Sequence, residues 1–295
     1  MRLSDILLAI SVAAVWGFNF VVIRMGIDAF PPLLFSALRF TFAALPLVFF
    51  LPKPNVSWGI IFGIGLILGV IKFALLFIGM DVGLSAGLAS LVLQSQAFFT
   101  VILASIFLAE RPSPLQVTGI LVAFVGISLV ATTVDTNVTP LGLSLVLAAA
   151  LAWAFSNLLM KKAGSVDMLS LIVWVSLIPP LPLIVLSLIF EGWNADIAAL
   201  THLTWKGGGS VIYIALLSTI FGFAVWGRLI SIYGASRVAP FSLLVPIFGM
   251  GSSAIILGEE FSSIRLFAAF LVIIGLILTV IKPSWGRLVS VKNTP

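Results

Sequence analysis

The sequence predicts an all-α integral membrane protein whose ten transmembrane helices form two inverted five-helix units. Three observations predict it. The 295 residues are 61% hydrophobic and only 8% charged, with a mean hydropathy of +1.29; a soluble domain carries about 25% charged residues, and so few charges cannot cover a surface facing water. Apolar stretches of about 20 residues, the length that crosses a hydrocarbon core about 30 Å thick, recur ten times along the chain. Features of the first five stretches return in the second five.

The ten spans are expected at 5–23, 33–51, 58–79, 84–108, 115–132, 142–160, 169–190, 210–230, 238–257 and 264–281. Their connectors are short and carry turn residues, as in Phe30-Pro31-Pro32, Pro52-Lys53-Pro54-Asn55 and Asp135-Thr136-Asn137. The longest runs from Glu191 to Gly209. The opening Arg2 and apolar run could mimic a secretory signal. The run lacks a small-residue cleavage site and further spans follow, so it reads as an uncleaved first helix. The absence of Cys and the single histidine, His202, leave no disulfide framework, zinc site or other cofactor to expect.

The basic residues set the expected orientation. Ten spans put both termini on one side. That side holds Arg2, Lys53, Arg111, Lys161, Lys162, Arg228, Arg237, Lys282, Arg287 and Lys292, against Arg24, Lys206 and Arg265 on the other. Loops rich in Lys and Arg stay in the cytoplasm, so both termini are expected there. This sorting, rather than nucleic-acid binding, accounts for a net charge of +5.

The repeat is read from matching strings. Val15-Trp16-Gly17-Phe18-Asn19 in helix 1 compares with Ala152-Trp153-Ala154-Phe155-Ser156-Asn157 in helix 6. Leu108-Ala109-Glu110 after helix 4 compares with Leu257-Gly258-Glu259 after helix 9, and in that register Gly126 falls on Gly275. Five helices per unit is an odd number, so the second unit enters the membrane with opposite polarity. That arrangement allows one central site to open to each side in turn. The units are expected at 1–134 and 140–283, followed by a cytoplasmic tail over 284–295.

These strings resemble the EamA-type transporters of the drug/metabolite transporter superfamily. The resemblance rests on Trp16-Gly17-Phe18-Asn19, Leu38-Arg39-Phe40, the run Gly87-Leu88-Ala89-Ser90-Leu91-Val92-Leu93-Gln94, Gln96-Ala97-Phe98-Phe99, Glu110-Arg111, Trp226-Gly227, and Arg237-Val238-Ala239-Pro240 through Pro246. Within that family they are most similar to bacterial exporters of O-acetylserine and cysteine. The resemblance implies a secondary transporter that exports small metabolites, amino acids among them, across the bacterial inner membrane.

Lys72 is the sharpest single feature. It lies about 20 Å along helix 3 at 1.5 Å per residue, where a charge costs several kcal/mol unless paired or facing a cavity. It is expected to meet the carboxylate of a zwitterionic amino acid or to carry a proton; snorkelling outward along its stem is the ordinary alternative. Arg39 is the other cation within a span, and its planar guanidinium suits a carboxylate. Gln94 and Gln96 sit mid-helix but point apart, so at most one of them is expected to line a central cavity; hydrogen bonding between helices is the ordinary alternative. Asn19 follows Trp16, and Asn157 follows Trp153, by one turn, placing an indole and an amide on a common face in each unit. Trp174 and Trp226 could extend an aromatic wall, with Trp193, Trp205 and Trp285 as interfacial belt residues.

In the repeat register Lys72 falls on Phe221, Gln94 on Leu243 and Gln96 on Val245. Polar recognition is thus expected to concentrate in the first unit, opposite an apolar wall. Acidic residues are expected only in loops or at helix ends, which argues against a mid-membrane carboxylate as proton carrier. The glycines of helix 3 (Gly59, Gly63, Gly65, Gly69) read as packing positions. Pro46, Pro179, Pro180, Pro182, Pro240 and Pro246 read as kinks. A channel would need a continuous polar stripe and an enzyme a reactive constellation; the sequence has neither.

Overall fold

The computed structural model describes residues 1–45, 47–135, 138–164 and 166–280. Pro46, the tail 284–295, and Lys282, Trp285, Arg287 and Lys292 lie outside these residues. Among the described residues ten helices are long and apolar enough to span a bilayer: α1 Leu3–Ile27, α2 Pro32–Phe49, α3 Trp58–Asp81, α4 Ala86–Phe107, α5 Pro114–Ala131, α6 Pro140–Ala163, α7 Met168–Thr201, α8 Trp205–Tyr233, α9 Ala239–Leu257 and α10 Ser263–Val280. Large apolar side chains such as Leu121, Ile255 and Phe270 are exposed on the outside of the bundle, while Ile23, Phe35, Phe77 and Leu88 are fully enclosed. That distribution suits a hydrocarbon solvent.

The inverted relation is visible where α5 meets α10. A Cβ on Gly126 would stand 2.8 Å from the Ala268 carbonyl oxygen, and one on Gly275 would stand 2.5 Å from the Gly119 carbonyl oxygen. The register that places Gly126 on Gly275 also places Gly119 on Ala268, so each contact is the image of the other. As residue numbers rise along α5, their partners fall along α10: the pair is antiparallel, as inversion requires. Small residues here let the two backbones touch.

A second correspondence lies in α3 and α8. Both lose the regular i→i−4 ladder for a π-helical stretch, Gly65–Lys72 in one and Tyr213–Phe221 in the other. These stretches end at the paired positions Lys72 and Phe221. In α3, a Cβ on Gly65 would stand 2.6 Å from Ile178 and one on Gly69 would stand 2.1 Å from Pro179, so the helix widens where its glycines press against α7. In α8, Thr219 Oγ1 donates to the Ile214 carbonyl five residues back at 2.8 Å, which helps to satisfy the widened turn. Such bulges frequently mark functional sites.

The expected connector from Glu191 to Gly209 is largely helical. α7 continues to Thr201, interrupted by a left-handed Gly192 at φ 93°, and α8 starts at Trp205, capped by Thr204, whose Oγ1 accepts from Gly207 N at 3.0 Å. The acidic residues of this stretch are satisfied within the fold. Glu191 accepts from Leu33 N and Leu34 N at 2.7 and 3.2 Å, closing the start of α2. Asp196 is buried against the Ser187 hydroxyl, 2.8 Å from Oδ1. The expectation that acidic residues occupy only loops and helix ends is therefore corrected for this pair.

Candidate substrate site

The central feature is a pair of buried cations on one aromatic ring. Arg39 on α2 and Lys72 on α3 are 4% and 3% exposed. The Arg39 guanidinium carbon is 3.9 Å from the centre of the Phe73 ring, and Lys72 Nζ is 3.3 Å from the centre of that same ring. The π-helical stretch ends at Lys72 and turns it inward. Snorkelling along the stem is thus ruled out for this side chain in this conformation. Lys72 Nζ also lies 4.6 Å from the Trp153 ring of α6.

Neither cation makes an ion pair among the described residues. Arg39 Nη2 donates to Thr219 Oγ1 of α8 at 3.2 Å, whereas Nε and Nη1 are buried without a partner. A desolvated cation–π contact is worth about 2 kcal/mol. Two like charges at most about 7 Å apart, as a shared ring requires, repel by at least roughly 2 kcal/mol at an effective dielectric of about 20. The rings therefore counter the repulsion but leave the guanidinium donors unmet, and a buried unmet donor costs about 1–3 kcal/mol. The arrangement is chemically suited to an incoming anionic group.

The other expected residues fall into three groups. Gln94 Nε2 donates to the Ser242 carbonyl of α9 at 3.3 Å. Asn157 Nδ2 donates to Gln96 Oε1 at 2.7 Å and to Thr100 Oγ1 at 3.0 Å, joining α6 to α4. Asn157 also lines a cavity of about 180 Å³ with Thr100, Gln116, Glu110 and Lys161 on the side of the termini. Trp153, Asn157 and Lys161 follow one another every four residues on one face of α6, leading from the Lys72 contact to that cavity.

Trp16 belongs to the opposite wall. Its Nε1 donates to the Ser218 carbonyl at 2.9 Å, and its ring meets Phe223 and Trp226 at centroid distances of 5.4 and 5.1 Å. Trp226 thus packs on Trp16. Trp174 does not: its Nε1 donates to Leu51 O at 3.1 Å and its ring meets Trp58 edge-on at 5.9 Å, near the termini side of the bundle. Its place is set by that loop carbonyl, and its expected binding role is withdrawn. Asn19 is buried, with Oδ1 unpartnered.

Two residues escaped the sequence reading. Thr219 is the partner of Arg39, and no motif distinguishes it from other threonines in apolar helices. Ser156 is the counterpart of Asn19 in the Trp16-to-Trp153 register; it is fully buried and its Oγ is also unpartnered. The register itself could have pointed to Ser156, one residue before the more conspicuous Asn157.

One pattern unites the polar contacts. Arg39 meets Thr219, Lys72 meets Trp153, Gln94 meets Ser242 and Gln96 meets Asn157. In every case a side chain of the first five helices is answered by a group of the last five. The second half's equivalents of Lys72, Gln94 and Gln96 are apolar, as the register has them, while Thr219, Trp153, Asn157 and the Ser242 carbonyl supply its polar and aromatic partners.

Comparison with known proteins places this architecture. The model of the EamA-like transporter family matches residues 3–132 and 140–281. A probable amino-acid metabolite efflux pump of Escherichia coli (strain K12) is 39% identical over 299 residues, covering 99% of this chain and all of the relative. The protein described in the same words in Salmonella typhimurium (strain LT2) is 40% identical over 286 residues, covering 95% and 96% of the two chains. A solved crystal structure superposes with a TM-score of 0.61 at 16% identity, over 94% of this chain and 96% of that one, and so shares the fold. With two family matches end to end and full-length relatives near 40% identity, the chain belongs to the EamA-like transporter family: it is a membrane transporter, not an enzyme.

Proposed function

We propose that this protein exports small amino-acid metabolites, with cysteine and O-acetylserine as leading candidates, across the bacterial inner membrane by alternating access between units 1–134 and 140–283. The termini and the tail 284–295 face the cytoplasm, and the exposed apolar belt contacts lipid. The substrate carboxylate sits between Arg39 and Lys72. Gln94, Gln96, Asn157, Asn19 and the indoles of Trp153 and Trp16 form the surrounding wall. The observation that carries this reading is the buried cation pair on Phe73, with no ion-pair partner and two unmet guanidinium nitrogens. The polar residues that bridge the two halves support a pathway between them. The relatives described as probable amino-acid metabolite efflux pumps support the substrate class.

Counterflow of labelled cysteine and O-acetylserine in proteoliposomes tests it. Lys72→Met should reduce uptake by at least tenfold, as expected for loss of a charge-assisted contact worth about 1.5–3 kcal/mol. Arg39→Lys should reduce it severalfold, because it keeps the charge and loses the planar donor array. Wild-type counterflow by the Lys72→Met protein would sink the assignment of the site.

A further inference from the structure

The two halves end their fourth helices in the same way but use the following glutamates differently. After α4, Glu110 N bonds the Ala104 carbonyl at 3.3 Å across a left-handed Ala109 at φ 54°. After α9, Glu259 N bonds the Ser253 carbonyl at 3.3 Å across a left-handed Gly258 at φ 67°. Residues 104, 109 and 110 are the register partners of 253, 258 and 259. The two carboxylates therefore leave equivalent turns on opposite sides of the membrane.

Glu259 closes its side. Its Oε1 accepts from Ala86 N at 2.7 Å and its Oε2 from Gly87 N at 3.0 Å, the first amides of α4. This start has no cap of its own from Ser85. Gly87 permits the approach: a Cβ there would stand 2.4 Å from Ser253 Oγ and 2.9 Å from Glu259 Oε2. The turn after α9 is thus fastened to the beginning of α4. Glu110 does otherwise. It pairs with Lys161 at the end of α6, both side chains are about half exposed, and both line the cavity open toward the termini. The repeat register sets residues 235 and 236 opposite Ala86 and Gly87, so the backbone amides that would receive Glu110 belong to the segment leading into α9.

We infer that Glu259 and Glu110 are the two latches of the transport cycle: Glu259 on the start of α4 holds the far side shut in the conformation described here, and Glu110, released from Lys161 onto the segment before α9, holds the termini side shut in the other. Inversion makes the two closed states images of each other, so engagement of one latch accompanies release of the other. A carboxylate at the start of a helix is favoured by the free amides and the helix dipole, and Lys161 supplies the competing partner that keeps Glu110 off in this state. The inference rests on the alternating-access reading above and adds the residues that alternate.

The chain has no cysteine, so single cysteines can report access directly. Ser90 is 1% exposed in α4, three residues beyond Gly87, and Val101 lines the cavity on the termini side. In full-length protein in proteoliposomes, a membrane-impermeant maleimide should label Val101→Cys from the termini side and leave Ser90→Cys protected from the far side. Adding Glu259→Gln should raise far-side labelling of Ser90→Cys at least fivefold and lower labelling of Val101→Cys. Adding Glu110→Gln, at an exposed position that puts little folding energy at risk, should raise Val101→Cys labelling and leave Ser90→Cys protected. Labelling unmoved by Glu259→Gln, or raised at both reporters as in general loosening, would overturn the inference. Lys72→Met distinguishes the two readings: lost counterflow with unmoved glutamate-variant labelling fails the latches alone, whereas shifted labelling with normal counterflow by Lys72→Met fails the binding site alone.

Discussion

The two crossing points between the halves are built on one plan and filled differently. In one, Trp153 of α6 lies over Lys72 and Phe73 carries both buried cations. In the other, Trp16 of α1 occupies the corresponding place on α8, but Lys72 is answered by Phe221 and Phe73 by Gly222. There the indole presses onto bare backbone: a Cβ on Gly222 would stand 2.5 Å from Trp16 Nε1. The same helix pairing thus holds a charged, incompletely satisfied cluster on one side and a closed aromatic joint on the other. A substrate of low symmetry needs polar recognition at one point only, and the duplicate is free to become a rigid bearing.

The sharpest way to break this comparison is to give the bearing a side chain. Gly222→Ala should lower stability by about 1–3 kcal/mol, the usual range for overpacking, because Trp16 is fixed by its bond to the Ser218 carbonyl and cannot slide away without losing it. Thermal unfolding in detergent measures the loss. Substrate affinity of the folded fraction should fall less than with Lys72→Met, because the cation pair on Phe73 is untouched. A variant as stable as wild type would show that the Trp16 contact is loose, and the description of this crossing as a bearing would fail.

Exchanging the two tryptophans for phenylalanine separates their roles at a smaller scale. Trp153→Phe keeps a ring near Lys72 but weakens its pull on a cation; substrate affinity should change severalfold and stability little. Trp16→Phe keeps a ring in the wall but removes the donor to Ser218 and should cost about 1 kcal/mol of stability, with a smaller change in affinity than Trp153→Phe. Binding titrations and unfolding on the two proteins should therefore give crossed results. Equal effects on both readouts would mean that the halves are not specialised.

Much of this was legible in the sequence, for identifiable reasons. Span count follows from composition because hydrocarbon tolerates so few charges, and Lys72 stood out because it broke that rule in the middle of a span. The repeat register was carried by Trp16 with Trp153 and by the glutamate turns. The π-helical stretches had no comparable signal: Gly65 and Gly69 read as packing residues, and they are, but that packing against Ile178 and Pro179 would coincide with a widened helix and an inward Lys72 is a tertiary outcome. The continuation of α7 past Glu191 was hidden because its carboxylates are answered by distant groups, the amides of Leu33 and Leu34 and the hydroxyl of Ser187. Trp174 was misplaced because a tryptophan looks the same in a sequence whether its partner is a substrate wall or the Leu51 carbonyl.

The smallest expected effect tests the equivalence of the halves at the level of backbone. Ala109 and Gly258 hold the same left-handed turn, at φ 54° and 67°, yet only one is the residue that adopts it without strain. A non-glycine residue there costs roughly 1 kcal/mol, partly offset because glycine loses more conformational freedom on folding. Ala109→Gly should therefore stabilise by about 0.5 kcal/mol, and Gly258→Ala should destabilise by a similar amount, since a Cβ at Gly258 would touch nothing within 4 Å and only the backbone term remains. The sites lie on opposite sides of the membrane, and distant substitutions add to within about 0.3–0.5 kcal/mol. The double exchange, Ala109→Gly with Gly258→Ala, should then unfold at the wild-type midpoint. A double variant well below that midpoint would mean that the two turns carry different loads despite their common geometry, and would restrict the symmetry between the halves to their helices.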